Sequence, residues 1–236
     1  MENKEKIVIL GFGGHAKSVA DSILKGDRYH IVGYTDTHEC KSEFKYLGTD
    51  DELKKIYKNG IHKAVLGVGY MGNSMIRDKL VYMAHEIGFE FPVIIDPSAI
   101  ISEDAVIGEG TFVGKRVVIN AESRIGDFCI INTGAIIEHE NSIADYSHVA
   151  VGAILCGNIT VGHHSMIGAG ATVIQGKTVG NNCIIGANST VISDVEDNMK
   201  CYGIVNNGGG YSLTTLLHTE RLVLFNTERM KRRCVA

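Results

Sequence analysis

Residues 117–143, VVINAESRIGDFCIINTGAIIEHENSI, place isoleucine at 119, 125, 131, 137 and 143. A period of six fits neither the 3.6-residue turn of a helix nor the two-residue alternation of an ordinary strand kept up over a whole domain. The slot stays aliphatic without a gap from Ile95 to Val191, through Ile101, Ile107 and Val113 on one side and Val149, Leu155 and Val161 on the other. Four positions later the residue is usually small, as at Ala99, Ser123, Cys129, Ala135, Ser147, Ala153, Ser165 and Ala171. Glycines at 108, 126, 162, 168, 180 and 186 directly follow the aliphatic slot, where the backbone nears a turn. A sandwich would need hairpin signals and loops of varied length. The pattern predicts a parallel β-helix instead, with one hexad per flat side and three per coil. The aliphatic residue points to the axis and the small one sits near the corner, with coils stacked about 4.8 Å apart.

Upstream of Ile95 the signals alternate between strand and helix. KIVIL (6–10), HIVGYTD (30–36), HKAVLGVG (62–69) and FPVII (91–95) read as four strands. Between them lie helical patterns over 16–26, with Val19, Ile23 and Leu24 on one side, over 49–60 with Thr49 as N-cap and Gly60 as stop, and over 73–88. Such alternation predicts a small parallel α/β sheet of Rossmann-like form, open at the carboxyl ends of its strands. The expected division is 1–94 for the α/β domain, 95–195 for the β-helix and 196–236 for a tail. The α/β unit is expected to cap one end of the helix. The tail carries a possible terminal helix with Leu216, Leu217 and Leu222 as a packing stripe.

The 236 residues suffice to bury a sizeable core. A net charge of −4 gives no electrostatic footprint for nucleic acid or an anionic membrane. No apolar run reaches spanning length, and the six cysteines form no CxxC pair, so a cytoplasmic protein with reduced thiols is expected.

Several features converge on one family: GFGGH (11–15), DPSAIIS (96–102), INTGAIIEHENSI (131–143), YSHVAVGA (146–153) and GNITVG (157–162). With the hexad ladder they resemble the bacterial sugar O-/N-acyltransferases that modify nucleotide-linked amino sugars, typified by the bacillosamine-pathway N-acetyltransferase; sialic-acid O-acetyltransferases share the layout. The resemblance covers about residues 6–200. It implies a left-handed parallel β-helix, acetyl-CoA as co-substrate, a nucleotide-linked amino-deoxy sugar as acceptor, and a homotrimer with active sites between neighbouring β-helices.

The Glu138-His139-Glu140 cluster is the centre of this reading. Ile137 takes the inward slot, so strand parity puts Glu138 and His139 on or near the outer surface. Asn141 occupies a slot that is small elsewhere. An imidazole, with a reference pKa of about 6.5, can take a proton near neutral pH, and a flanking carboxylate can orient it and stabilise the imidazolium. The resemblance makes His139 the general base for the acceptor amine and Glu140 its partner, with Glu138 the alternative. It further implies that His148 contacts the thioester region of acetyl-CoA, that Ala169 and Ala187 line the CoA groove, and that Asn132 lies near the acceptor sugar.

Gly11–Ala16 also satisfies G-x-G-x-x-G/A, with Asp36 closing the second strand, which alone suggests a dinucleotide site. One small sheet lacks the second mononucleotide half, so NAD is not expected; backbone N–H groups at a helix start suit a pyrophosphate in any case. The resemblance assigns Gly13, Gly14, His15, Asp36 and Gly69 to the nucleotide-sugar. Two departures stand out: Thr35-Asp36-Thr37 replaces the paired acidic residues common in the family, and YGIVNNGGG (202–210) replaces a proline-containing closing segment. His163-His164 raises a metal, but 24 residues separate His163 from His139, which puts them on different faces, and none is expected. The competing functions are O-acetylation of a sialic-type sugar and a non-catalytic nucleotide-sugar-binding trimer.

Overall fold

The computed structural model describes residues 4–70, 72, 75–206 and 210–212, the last three as backbone. The predicted terminal helix and its leucine stripe lie outside these residues. The α/β unit runs β1 (Glu5–Leu10), α1 (Gly14–Gly26), β2 (Tyr29–Thr35), α2 (Leu53–Lys58), β3 (Lys63–Leu66) and α3 (Met75–Ile87). Its sheet is parallel and three-stranded, in the order β2-β1-β3. Helices cover both faces of β1, so its apolar run is continuous rather than alternating. Ile7 and Ile9 pack with Ala16, Val19 and Ile23 of α1, while Val8 and Leu10 meet Leu53, Leu80 and Ala84 of α2 and α3.

Three local expectations change. The fourth strand is not part of this sheet: Ile94–Ile95 pairs with Phe112–Val113 and forms the first rung of the solenoid. Leu24 points outward, and Ala16 and Ala20 complete the buried stripe of α1 instead. Thr49 stands at the N-cap position of a 3-10 turn over Asp50–Glu52 but makes no side-chain cap bond.

From Ile94 the chain is a parallel β-solenoid of hexapeptide repeats. Two-residue strands pair in register with those 18 residues on, as Ile131 with Val149 and Ile137 with Leu155. They form three faces, which we call docking (strands at 94, 112, 130, 148, 166 and 184), second (100, 118, 136, 154 and onward) and third (106, 124, 142 and onward). The predicted ladder is the core: Val113, Ile131, Ile137, Val149, Leu155 and Ile167 have no accessible surface. Burying each such side chain contributes about 1.5–3 kcal/mol. The small slots also satisfy corner carbonyls. Ser147 Oγ donates to Gly162 O at 2.7 Å and accepts from Ser165 N–H at 3.2 Å, a link that Ser123 and Thr111 repeat.

The corner glycines follow a different rule from the one expected. Gly126 has an ordinary φ, and a Cβ there would lie 2.2 Å from Asp145 Oδ1 and 2.7 Å from Asp145 N, so close stacking of coils requires the glycine. The left-handed residue comes two positions later and is often not glycine: Phe128, Glu140, Tyr146 and His164 have φ between 53° and 60°.

Strand pairing also outlasts the strict ladder. Cys201 pairs with Ile185 and Val205 with Val191, so two shortened repeats extend the solenoid beyond 195. At the other end, the α/β unit docks on a side and does not cap the axis. Ile94, Phe112 and Ile130 point outward from the docking face into the core of α1 and β2, whereas the inward Ile95 of the first rung is 41% exposed. Asp96, buried beneath this seam, accepts from Ser22 Oγ at 2.7 Å and from Ser98 Oγ at 2.6 Å, tying α1 to the first coil.

Candidate active site

Docking the α/β unit sideways creates a cleft of about 800 Å³ between it and the solenoid, a size that suits a small organic ligand. The carboxyl ends of β1 and β3 supply Gly13, Gly14, His15 and Gly69, and the end of β2 supplies Asp36. The solenoid supplies Ile130, Asn132, Thr133 and His148. Seven of the residues singled out in the sequence therefore meet in one place. His139, Glu140, Ala169 and Ala187 lie elsewhere.

Within the cleft, hydrogen bonds fix the polar groups. Thr133 N–H donates to Asn132 Oδ1 at 2.8 Å, which turns the Asn132 amide nitrogen toward His148 Nε2 at 3.3 Å. His148 Nδ1 lies 2.8 Å from Tyr70 O, so Nδ1 carries the proton and Nε2 the lone pair. Burial, with Arg77 adding repulsion and the Tyr70 bond opposing, holds the His148 pKa down at about 4. Burial likewise takes His15 to about 3, helped by Arg77 and His148. Among the described residues the buried His15 Nε2 finds no hydrogen-bond partner, and the ring packs edge-on against Phe112. Asp36 accepts from Phe12 N–H at 2.7 Å and from Thr37 N–H at 2.6 Å. Burial raises its pKa, but these bonds outweigh it and the net shift is downward. Asp36 Oδ2 thus braces the glycine loop, while Oδ1 holds Thr37.

The sequence reading missed Asp50, Thr37 and Tyr70, which also line the cleft. Asp50 accepts from Thr35 Oγ1 at 2.9 Å, so a second carboxylate arrives from the α2 approach rather than from the end of β2. In sequence it was hidden among the acidic residues of a helix start. Tyr70 contributes its carbonyl to His148, and its hydroxyl donates to His164 O. Arg77 of α3 is 2% exposed and joins the two halves: Nη1 donates to Val68 O and Nη2 to Phe128 O at 2.6 Å.

The buried neutral histidines make acid stability a test of this geometry. The unfolded chain takes up these protons near pH 6.5 and the folded chain only near pH 3–4. Their penalty is therefore absent above pH 6.5 and grows as pH falls below it. By pH 5 each is expected to remove about 2 kcal/mol of stability. Urea denaturation at pH 7.5 and pH 5 checks this, and His148→Gln is expected to lessen the drop.

His139 occupies the corner between the second and third faces. Its ring is 57% exposed, and Nδ1 lies 2.9 Å from Glu140 Oε2. Glu140, not Glu138, is the carboxylate on the ring, brought there by its left-handed φ of 59°. Ala169 and Ala187 are exposed on the corner between the docking and second faces, where they stack 18 residues apart in the same column as Thr133 and Val151. His148 lines the cleft, and Thr133 and Val151 at the near end of the alanine column line it too. His163 pairs with Asp145 at 3.7 Å on the third corner. Among the described residues no group of three His, Cys, Asp or Glu is arranged to hold a metal ion, and no helix is long and apolar enough to cross a membrane.

Known proteins share this architecture. Residues 6–84 match the family model described as the PglD N-terminal domain, and residues 158–193 match the hexapeptide repeat of succinyl-transferase. The structure of PerB from Caulobacter crescentus in complex with CoA and GDP-perosamine superposes with a TM-score of 0.80 at 33% identity, over 84% of this chain and 94% of that one. The acetyltransferase domain of PglB from Neisseria gonorrhoeae, in complex with acetyl coenzyme A, gives 0.80 at 31% identity over 89% and 100%. UDP-N-acetylbacillosamine N-acetyltransferase of Bacillus subtilis is 35% identical over 116 residues, 46% of this chain, and the match spans about half (51%) of that relative. The fold is that of a hexapeptide-repeat acyltransferase with a PglD-type α/β unit at its N-terminal end. The chain belongs to the PglD-type family of sugar N-acetyltransferases.

Proposed function

We propose that this protein transfers the acetyl group of acetyl-CoA to the amine of a nucleotide-linked amino-deoxy sugar, with His139 as general base. The observation that carries the proposal is the exposed His139–Glu140 pair at 2.9 Å on a solenoid whose relatives are solved with CoA and a nucleotide-linked amino sugar. The Glu140 carboxylate accepts the Nδ1 proton, which leaves the Nε2 lone pair for the substrate. The neutral amine attacks the thioester carbonyl carbon; a C–N bond forms as an N–H proton passes to His139 Nε2. The tetrahedral intermediate then collapses, the C–S bond breaks, and the imidazolium returns its proton to the departing thiolate. No covalent acyl-enzyme is required, because the amine is itself the nucleophile.

The cleft is the seat of the nucleotide-linked sugar, with Gly13 and Gly14 at the start of α1 offering N–H groups to the diphosphate. Asn132 and His148 lie where the cleft meets the solenoid, at its sugar end. Ala169 and Ala187 line a corner free of bulky side chains along which CoA can lie. In one chain this corner and the His139 corner are different edges of the solenoid, so a complete site needs a second copy. A homotrimer joined along the second face supplies it, and the outward Ile100, Val118, Ile136 and Ile154 give that face an apolar row.

The test is CoA release from acetyl-CoA with GDP-perosamine, a UDP-linked 4-amino sugar, free sialic acid, and no acceptor. Release with an amino sugar alone is the expected result. Release with sialic acid would move the protein to O-acetylation, and silence with every acceptor would favour a binding module.

A further inference from the structure

Two residues outside the acid–base pair shape the corner that carries His139. Asn141 occupies an inward slot filled by small residues in most other coils, and it is 1% exposed. Its amide nitrogen donates to Glu138 O and, at 3.0 Å, to Cys156 O of the next coil. Its Oδ1 accepts from Ile159 N–H at 3.0 Å. Ser123 Oγ, one coil below, donates to the same Glu138 O at 2.8 Å. The backbone beneath His139 is thereby pinned from both sides, and Asn158 N–H closes the stack onto His139 O at 2.9 Å.

Gly157 is the residue directly above His139 in that column. A Cβ built on it would lie 2.5 Å from His139 Cε1, 2.6 Å from Nε2 and 3.2 Å from Nδ1. These three ring atoms are its nearest neighbours. The backbone does not demand glycine, since Gly157 is absent from the positive-φ residues. The equivalent positions one coil away in either direction from this pair are Ala121 and Gln175, both with side chains. The ring therefore occupies the space a side chain would fill, with Nδ1 turned to Glu140.

We infer that Gly157 and Asn141 are positioning residues that seat the His139 imidazole against Glu140, an inference that rests on the reading of His139 as the base. Gly157 sets where the ring lies, and Asn141 fixes the height and direction of the corner that bears it. Because the atoms that oppose a Cβ belong to a side chain at the surface, Gly157→Ala should move the ring and leave the solenoid intact.

The experiment pairs a crystal structure of Gly157→Ala with its steady-state kinetics. The expected result is a displaced His139 ring that no longer meets Glu140, a fall in kcat of about 10–100-fold, unchanged KM for both substrates and an unchanged melting temperature. Adding His139→Ala should cause no further loss. Asn141→Ser, which restores the slot's usual small residue, should lower kcat in the same way. A ring in its original place in Gly157→Ala, or a kcat within twofold of the parent, would overturn the inference. Full activity in the single His139→Ala protein would instead remove the general-base reading, and the ring position would still decide what Gly157 does.

Discussion

His139→Ala is expected to lose about 10²–10⁴ in kcat, the usual contribution of a positioned general base, while keeping its fold and its affinity for both substrates. The ring is more than half exposed, so its removal opens no core cavity. It lies outside the cleft proposed for the nucleotide-linked sugar and off the alanine corner proposed for CoA. An acceptor bound in its normal place would then face a thioester with nothing to take its proton except water. Stopped assays of CoA release with wild type and variant, beside isothermal titration with GDP and with CoA, separate these effects. Equal loss of binding would show that the ring holds substrate; a change of less than tenfold in kcat would exclude it as the base.

The second large effect is expected from Arg77→Met. Arg77 is almost completely buried, and burial holds its pKa down at about 10, so it remains a cation at neutral pH. Methionine fills much of the volume but leaves Val68 O and Phe128 O without their donors. An unsatisfied buried carbonyl costs about 1–3 kcal/mol, so a loss of about 2–4 kcal/mol is expected in urea denaturation. Val68 belongs to the strand end that forms one wall of the cleft and Phe128 to the solenoid that forms the other. The variant should therefore raise KM for the nucleotide-linked sugar and leave KM for acetyl-CoA nearly unchanged. Arg77 also lowers the pKa values of His15 and His148. Without it both move toward 6.5, and the loss of stability between pH 6.5 and pH 5 should shrink. Unchanged stability would mean that the two halves are held together without this contact.

Both predictions draw on features that differ in how plainly the sequence displays them. The solenoid was legible because its period is a direct image of its geometry: each inward residue recurs after one flat side, and seventeen rungs repeat the message from Ile95 to Val191. Where the repeats shorten, at Cys201 and Val205, the same geometry persists but the period does not, and the pattern was lost. Phe91–Ile95 misled for a related reason. An apolar run at the end of an α/β unit looks alike whether it pairs with β3 or opens the next fold, and only its partner, Phe112–Val113, decides.

The site divides in the same way. His139 and Glu140 are neighbours in the chain, so their proximity is nearly covalent and could be read directly. Asn141 was visible as a departure from the small slot, but its partners Cys156 and Ile159 lie in the next coil. Gly157 opens the GNITVG segment but showed no role of its own there, since its reason is a ring one coil below. Tyr70 and Arg77 carry no motif at all. Their roles arise from the sideways docking of the α/β unit, which depends on the outward residues of one solenoid face, Ile94, Phe112 and Ile130. Those residues resemble any other strand positions until something is seen to cover them.

The central claim is that an amide forms on a nucleotide-linked amino sugar. The most direct measurement is product analysis after the wild-type protein has been incubated with acetyl-CoA and GDP-perosamine, with NMR locating the acetyl group. An acetyl group on the sugar nitrogen, formed in step with CoA release and missing with His139→Ala, is the predicted result. An ester at a hydroxyl, or CoA release with the amine left free, would contradict it.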